Sequence, residues 1–272
     1  MLSFLLLGAF TVGLMSMFGG AAAQEDGPTY FEEDEDGNTT MIGWDGDDRI
    51  VGASHDDVIL GLEGDDTLIG GAGNDEILDG PGNDILKGFA GDDTLIGSEE
   101  GSTQPDSGPA PGNDQLFGGA GDDLLIATSG HDRLFGGIGR DILDGWSTSD
   151  APAGQALLVG GRGSDLLIGG PGDTLWGGGI DAPDQAPDRF AVVMDDPQIG
   201  PAVIKDLDPD LDSLFLILPV PMGETANPDK LIATTRDTNQ GMEVVVDEEV
   251  IALVQGVVVA DNITIGIRTL TV

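Results

Sequence analysis

Cysteine is absent from the 272-residue sequence, and histidine occurs only twice, at His55 and His131. The first absence excludes a disulfide scaffold and thiolate metal sites. The second argues against a histidine-based catalytic centre. No H-E-x-x-H zinc motif is present, and no G-x-S-x-G serine-hydrolase elbow. Basic residues are scarce too: 10 Lys and Arg stand against 50 Asp and Glu, a formal net charge of −40. Such a chain repels phosphate backbones, which argues against nucleic acid as a partner. It attracts cations instead. With thiolates excluded, a bound metal is expected to be held by oxygen, which points to a hard cation. Aromatics make up 5% of the chain, a composition compatible with disorder; the 39% apolar content and the regularity of the sequence argue against it.

Residues 1–23 carry no charged side chain, and the first basic residue of the chain is Arg49. Ala21 and Ala23 form an A-x-A pattern open to cleavage before Gln24. The stretch is also about long enough to span a bilayer. It reads equally as a cleaved export signal or as a membrane anchor, and either reading leads to an extracellular or cell-surface protein. Residues 24–42 hold Glu25, Asp26 and the run Glu32 to Asp36, and read as an acidic, solvated linker.

From Gly43 a period of nine sets in. Glycine recurs at the first and fourth places of each unit, aspartate at the sixth and a branched apolar residue at the eighth. In the first six units the sixth places are Asp48, Asp57, Asp66, Asp75, Asp84 and Asp93, and the eighth places are Ile50, Ile59, Leu68, Ile77, Leu86 and Leu95. An insertion at 97–108 follows. Four more units then carry Asp114, Asp123, Asp132 and Asp141, with Leu116, Leu125, Leu134 and Leu143. After a second insertion at 145–159, a last clear unit carries Asp165 and Leu167. The next unit, from Gly169, is one residue short.

Glycine and asparagine in the first six places favour tight turns with positive φ. The last three places read as a very short strand with its middle residue inward. Two units then make one coil of a solenoid, with parallel strands stacked coil on coil. The aliphatic core is too thin to offset the conformational entropy of ordering each unit. Sixth-place carboxylates two units apart would stack about 4.8 Å apart and repel unless a cation lies between them. Carboxylates and turn carbonyls together form the oxygen set that calcium prefers.

This array resembles the RTX (repeats-in-toxin, haemolysin-type) nonapeptide family, whose pattern is G-G-x-G-x-D-x-U-x with U large and aliphatic. The resemblance covers residues 43–176. It implies an all-β parallel β-roll over residues 43–180 that binds several Ca2+ ions between turns. The implied ligands are the eleven aspartates named above. Backbone carbonyls of turn residues such as Gly46, Gly64, Gly73, Gly82, Gly91, Gly112, Gly121, Gly130, Gly139 and Gly163 complete the set. Some positions depart from the pattern: His55 replaces a fourth-place glycine, Asp79 and Ala127 replace first-place glycines, and Pro109 opens the second run.

The fifth-place residues Asp47, Asp56, Asp65, Asp92 and Asp122 read as exposed turn residues that do not ligate. Asp206, Asp208, Asp210 and Asp212 alternate, but Leu211 and Ile217 stand where a helix-loop-helix calcium loop needs Gly and Glu, so a strand–turn–strand reading is preferred. Trp44, Trp146 and Trp176 suit the ends of the array. Residues 185–272 read as a small β-rich C-terminal capping domain, with strands at 190–194, 203–205, 214–218, 243–246, 250–254 and 263–267. The sequence as a whole reads as an exported, non-enzymatic calcium-binding protein whose roll folds on calcium. A calcium-stiffened surface adhesin or matrix protein, and an accessory module of a polysaccharide-acting enzyme, are the alternatives. Fifty acids would hide a glycosidase-type carboxylate pair, so no catalytic residue is assigned.

Overall fold

The computed structural model describes residues 30–97, 112–128, 130–146, 155–179, 185–194, 200–220, 233–255 and 265–271. The segment 1–23 and most of both expected insertions lie outside the described residues. Two sheets of eleven strands each make up the fold. Successive strands alternate between the sheets: Arg49–Val51 lies in one, Val58–Leu60 in the other, and Thr67–Ala72 returns to the first. Each strand pairs in parallel with the one two units away, as in Arg49↔Thr67, Thr67↔Ile85 and Val58↔Glu76. This is the expected parallel β-roll, with a coil of eighteen residues.

The period of nine dictates the core. Eighth-place side chains from both sheets point inward and form one continuous ladder. Ile50, Ile59, Leu68, Ile77, Leu86, Leu95, Leu116, Leu125, Leu134 and Leu143 are all fully buried. The seventh- and ninth-place residues face outward. On one outer face Phe117 and Phe135 stack at 5.1 Å, with Lys87 over the first ring and Arg133 over the second. The insertions show as jumps in register. Asp84 bonds to Asp114, 30 residues on instead of 18, so twelve residues leave the coil there. Asp141 bonds to Asp165, 24 residues on, so the second excursion is six residues long. It is shorter than 145–159, because Leu157–Arg162 is a strand of the roll.

Three expectations need correction. Residues 30–42 are not a linker. Tyr30–Glu33 pairs antiparallel with Thr39–Ile42, which pairs in parallel with Val58–Leu60. The Asp34 carboxylate closes this hairpin by accepting from the Asp36 and Asn38 amides, and Met41 joins the core. The chain after 185 does not form a separate domain either. Arg189–Val193, Ser213–Val220 and Ile265–Thr271 extend one sheet in parallel. Ala202–Ile204 extends the other. That second sheet ends in an antiparallel meander of Glu249–Val254, Gly241–Val246 and Ala233–Thr238. Trp176 therefore lies within the stack, in Thr174–Gly178, and caps neither end.

The fourth-place glycines are fixed by coil-to-coil distance. A Cβ on Gly121 would lie 1.9 Å from the Gly91 carbonyl oxygen, and the Gly121 φ of +141° already disfavours a side chain. Two second-place residues break this economy: Leu62 and Phe89 hold φ of 89° and 83°, a strained region for bulky side chains. We expect Gly121→Ala to lower the stability of the calcium-loaded roll by at least about 2 kcal/mol. Phe89 is 54% exposed, and Phe89→Gly should be neutral or stabilising. Urea titration of both variants measures this, and equal losses would contradict the assignment.

Candidate metal centre

Each turn hands one backbone amide to a carboxylate of the following coil. The Asp57 amide donates to Asp75 Oδ1 at 2.9 Å, Asp75 to Asp93 at 2.9 Å, Asp93 to Asp123 at 2.9 Å, Asp123 to Asp141 at 3.0 Å and Asp141 to Asp165 at 2.8 Å. Along the opposite edge the same bond links Asp48 to Asp66, Asp66 to Asp84, Asp84 to Asp114 and Asp114 to Asp132. The eleven expected aspartates are thus all buried and arranged in two columns.

The sequence reading missed four members. Asp188 and Asp212 continue the first column beyond Asp165. Asp173 takes the sixth place of the shortened unit, accepting from the Ala156 amide at 2.8 Å. Thr39 opens the first column, with its amide and hydroxyl both on Asp57 Oδ1. A signal was available in Asp173-Thr174-Leu175, Asp188-Arg189-Phe190 and Asp212-Ser213-Leu214, which keep the spacing of aspartate and core residue after the glycines are lost. Ala156 holds a sixth place with no carboxylate, so the second column is interrupted there.

The second carboxylate oxygen decides the chemistry. In the first two units it is satisfied: Asp48 Oδ2 accepts from the Trp44 amide and Asp57 Oδ2 from the Ala53 amide. In six later units the second-place residue takes a positive φ, at Leu62, Gly71, Gly80, Phe89, Gly119 and Gly137. The corresponding Oδ2 atoms of Asp66, Asp75, Asp84, Asp93, Asp123 and Asp141 are buried with no hydrogen-bond partner. Except at Asp84, whose unit opens with Asp79, each such oxygen sits over the first-place glycine of its own unit. A Cβ on Gly70 would lie 2.1 Å from Asp75 Oδ2, which is why that place excludes side chains. The carbonyl of the next coil converges on the same side: a Cβ on Gly118 would lie 2.3 Å from Asp123 Oδ2 and 2.7 Å from the Gly136 oxygen. First-place carbonyls therefore flank the carboxylates. The fourth-place carbonyls, expected as ligands, instead face the neighbouring coil's fourth-place glycine, as Gly91 faces Gly121.

Burial raises the affinity of these carboxyls for protons. Desolvation is the main cause at Asp66, Asp75, Asp84 and Asp123, pushing them up to about 6, 7, 8 and 7. At Asp84 the negative charges of Asp114, Asp66 and Asp65 add to it. A buried, partly hydrogen-bonded carboxylate with a bare oxygen and a carbonyl beside it suits a hard cation ligated by oxygen.

The fifth-place residues have a role that the sequence reading did not assign. Asp56 Oδ1 accepts from the Asn74 amide, Asn74 from Asp92, Asp92 from Asp122 and Asp122 from Arg140. These side chains tie coil to coil on the outside while the sixth place does so within. His131 joins the corresponding ladder on the other edge, its Nδ1 accepting from the Gln155 amide at 2.9 Å. The alternating aspartates after 205 do not converge on one point. Asp206 binds the Gly177 and Gly178 amides, Asp212 binds those of Asp188 and Asp208, and Asp208 closes the turn by accepting from the Asp210 amide.

Two outcomes follow from this arrangement. In Asp123→Asn the amide oxygen keeps the bond from Asp93 while the buried charge disappears. The variant should bind about one calcium ion fewer and show more β structure than wild type in chelator, as read by calorimetry and circular dichroism. The raised carboxyl affinities also set a pH dependence. An acid held above its unfolded value of 3.8 makes the folded state bind more protons than the unfolded state. Metal-free stability therefore falls as pH rises from about 4 through 8. Chelated protein should gain β signal on acidification across that window; a flat response would contradict the electrostatic reading.

A search of curated proteins finds no match. Among solved structures, the extracellular lipase LipA from Serratia marcescens is similar over 85% of this chain and 40% of its own, at 18% identity and a TM-score of 0.21, too low to carry any argument. This chain thus spans less than half of that lipase. Residues 35–68, 69–100, 110–150 and 154–179 match the RTX calcium-binding nonapeptide repeat, four copies in all. Such repeats imply calcium binding, and the buried aspartates fit it. Through the segment 35–179, the chain belongs to the RTX calcium-binding nonapeptide repeat family.

Proposed function

We propose that this is an exported, non-enzymatic calcium-binding protein whose roll condenses as calcium enters it. The observation that carries the reading is the set of buried Oδ2 atoms without partners at Asp66, Asp75, Asp84, Asp93, Asp123 and Asp141. Stacked at coil spacing, ionised carboxylates oppose the compact state until a cation neutralises them. Calcium binds the condensed form and not the open chain, so binding energy becomes folding energy. At low calcium the repeats stay repelled apart; at the millimolar levels suited to extracellular modules they close. The uncharged stretch 1–23 and the acidic composition support export.

Far-UV circular dichroism of the full chain, in chelator and then through a calcium titration, tests this. We expect a cooperative rise in β signal near millimolar calcium that magnesium does not reproduce, because magnesium demands tight octahedral geometry and dehydrates reluctantly. A spectrum already β-rich in chelator at pH 8 and unchanged by calcium would overturn coupled folding.

A further inference from the structure

One turn differs from all the others. Asp79 occupies a first place, where the pattern calls for the glycine that leaves room for the carboxylate. One of its oxygens and one each from Asp84 and Asp114 lie within 4.8 Å of one another, and all three residues are buried. Among the described residues this is the one group of three carboxylates so placed. Asp84 is 1% exposed, and its Oδ2 has no hydrogen-bond partner, while its Oδ1 takes the Asp66 amide at 2.6 Å. Buried Gly97 lies beside the cluster: a Cβ there would lie 3.1 Å from Asp114 Oδ2 and 3.3 Å from Asp79 Oδ2. Asp79 Oδ1 meanwhile accepts from the Gly80 amide, which fixes the side chain.

We propose that Asp79, Asp84 and Asp114 form a distinct calcium site, held mainly by side chains, that fills before the other turns of the roll. This rests on the calcium reading above and goes beyond it. An ordinary turn has one carboxylate from each of two coils; here a third is added to the same point. Affinity of oxygen sites for calcium rises with ligand charge and rigidity, and this site exceeds its neighbours in the first and matches them in the second. Its place gives it a further consequence. Asp84 and Asp114, like Asp93 and Asp123 on the other edge, are separated by 30 residues instead of 18. An ion there bridges the two runs of repeats where twelve extra residues divide them. The loaded site would serve as the nucleus from which condensation spreads both ways, since each coil touches only its neighbours.

The bland alternative is that Asp79 merely replaces a glycine and closes its own turn through the Gly80 amide. Two variants separate the cases. Asp79→Asn keeps an oxygen to accept that amide but removes the charge. Asp79→Gly restores the residue that other units carry, so the coil itself remains foldable. The measurement is calcium binding to the full chain in competition with a chromophoric chelator. Wild type should show one ion bound at least about 10-fold more tightly than the rest. Both variants should lose that class and retain the weaker ions. Survival of the tight ion in Asp79→Gly or Asp79→Asn overturns the site, as does a wild-type isotherm with no tight class. A wild-type chain that binds no calcium at all overturns the broader calcium reading together with it.

Discussion

Everything in this roll depends on the bond from a sixth-place amide to the sixth-place carboxylate of the next coil. It fixes register, because Oδ1 of Asp75 can reach only the amide that lies one coil below, that of Asp57. It also carries the charge into the interior. The two effects oppose each other. The hydrogen bond favours the ionised carboxyl, while desolvation and the neighbouring aspartates disfavour it, and at Asp84 the balance lies far on the side of the proton. Buried like charges repel one another unless an opposite charge is supplied. In this chain, with 10 basic residues against 50 acids, side chains cannot supply it.

The glycine pattern follows from that carboxylate. The first place must be small because Oδ2 sits where a Cβ would be, at Gly70, Gly118 and Gly136 alike. Where the second place takes positive φ, as at Leu62, Gly71, Gly80, Phe89, Gly119 and Gly137, the amide that satisfies Oδ2 in the first two units makes no such bond. The fourth place must let one coil's carbonyl press on the next coil's backbone. That Leu62 and Phe89 accept the same positive φ without being glycine shows the strength of the constraint. The coil enforces the geometry, and the side chain tolerates it.

The architecture and the eleven aspartates were legible because aspartate and core residue recur two apart at a fixed period, a pattern that only a stacked coil explains. Three things were hidden. The first-place carbonyls beside the carboxylates were not singled out, because the orientation of the peptide before a second-place residue depends on its φ, which residue type does not reveal at Leu62 or Phe89. The extent of the roll was underestimated because glycine was taken as its marker. Past residue 185 the turns lengthen and lose glycine, but Asp188 and Asp212 still lead a buried Phe190 and Leu214 into the sheet. The hairpin at 30–42 was obscured by its own charge: Glu32 and Asp36 suggested solvated chain, while Thr39 and Met41 were already playing the parts of aspartate and leucine.

The distribution of satisfied and bare oxygens divides the roll into zones. At the amino-terminal end, Trp44, Ala53 and Thr39 satisfy Asp48 and Asp57 from the backbone and a hydroxyl. At the other end, Asp173, Asp206 and Asp212 are satisfied by amides of Gly170, Gly177, Gly178 and Asp208. The bare oxygens of Asp66, Asp75, Asp84, Asp93, Asp123 and Asp141 lie between. A solenoid needs ends that do not propagate and a middle that does. Here the ends close on their own hydrogen bonds, and the middle is left in electrostatic debt to a cation. The coils with bare buried oxygens are therefore flanked on both sides by coils whose carboxylates are satisfied.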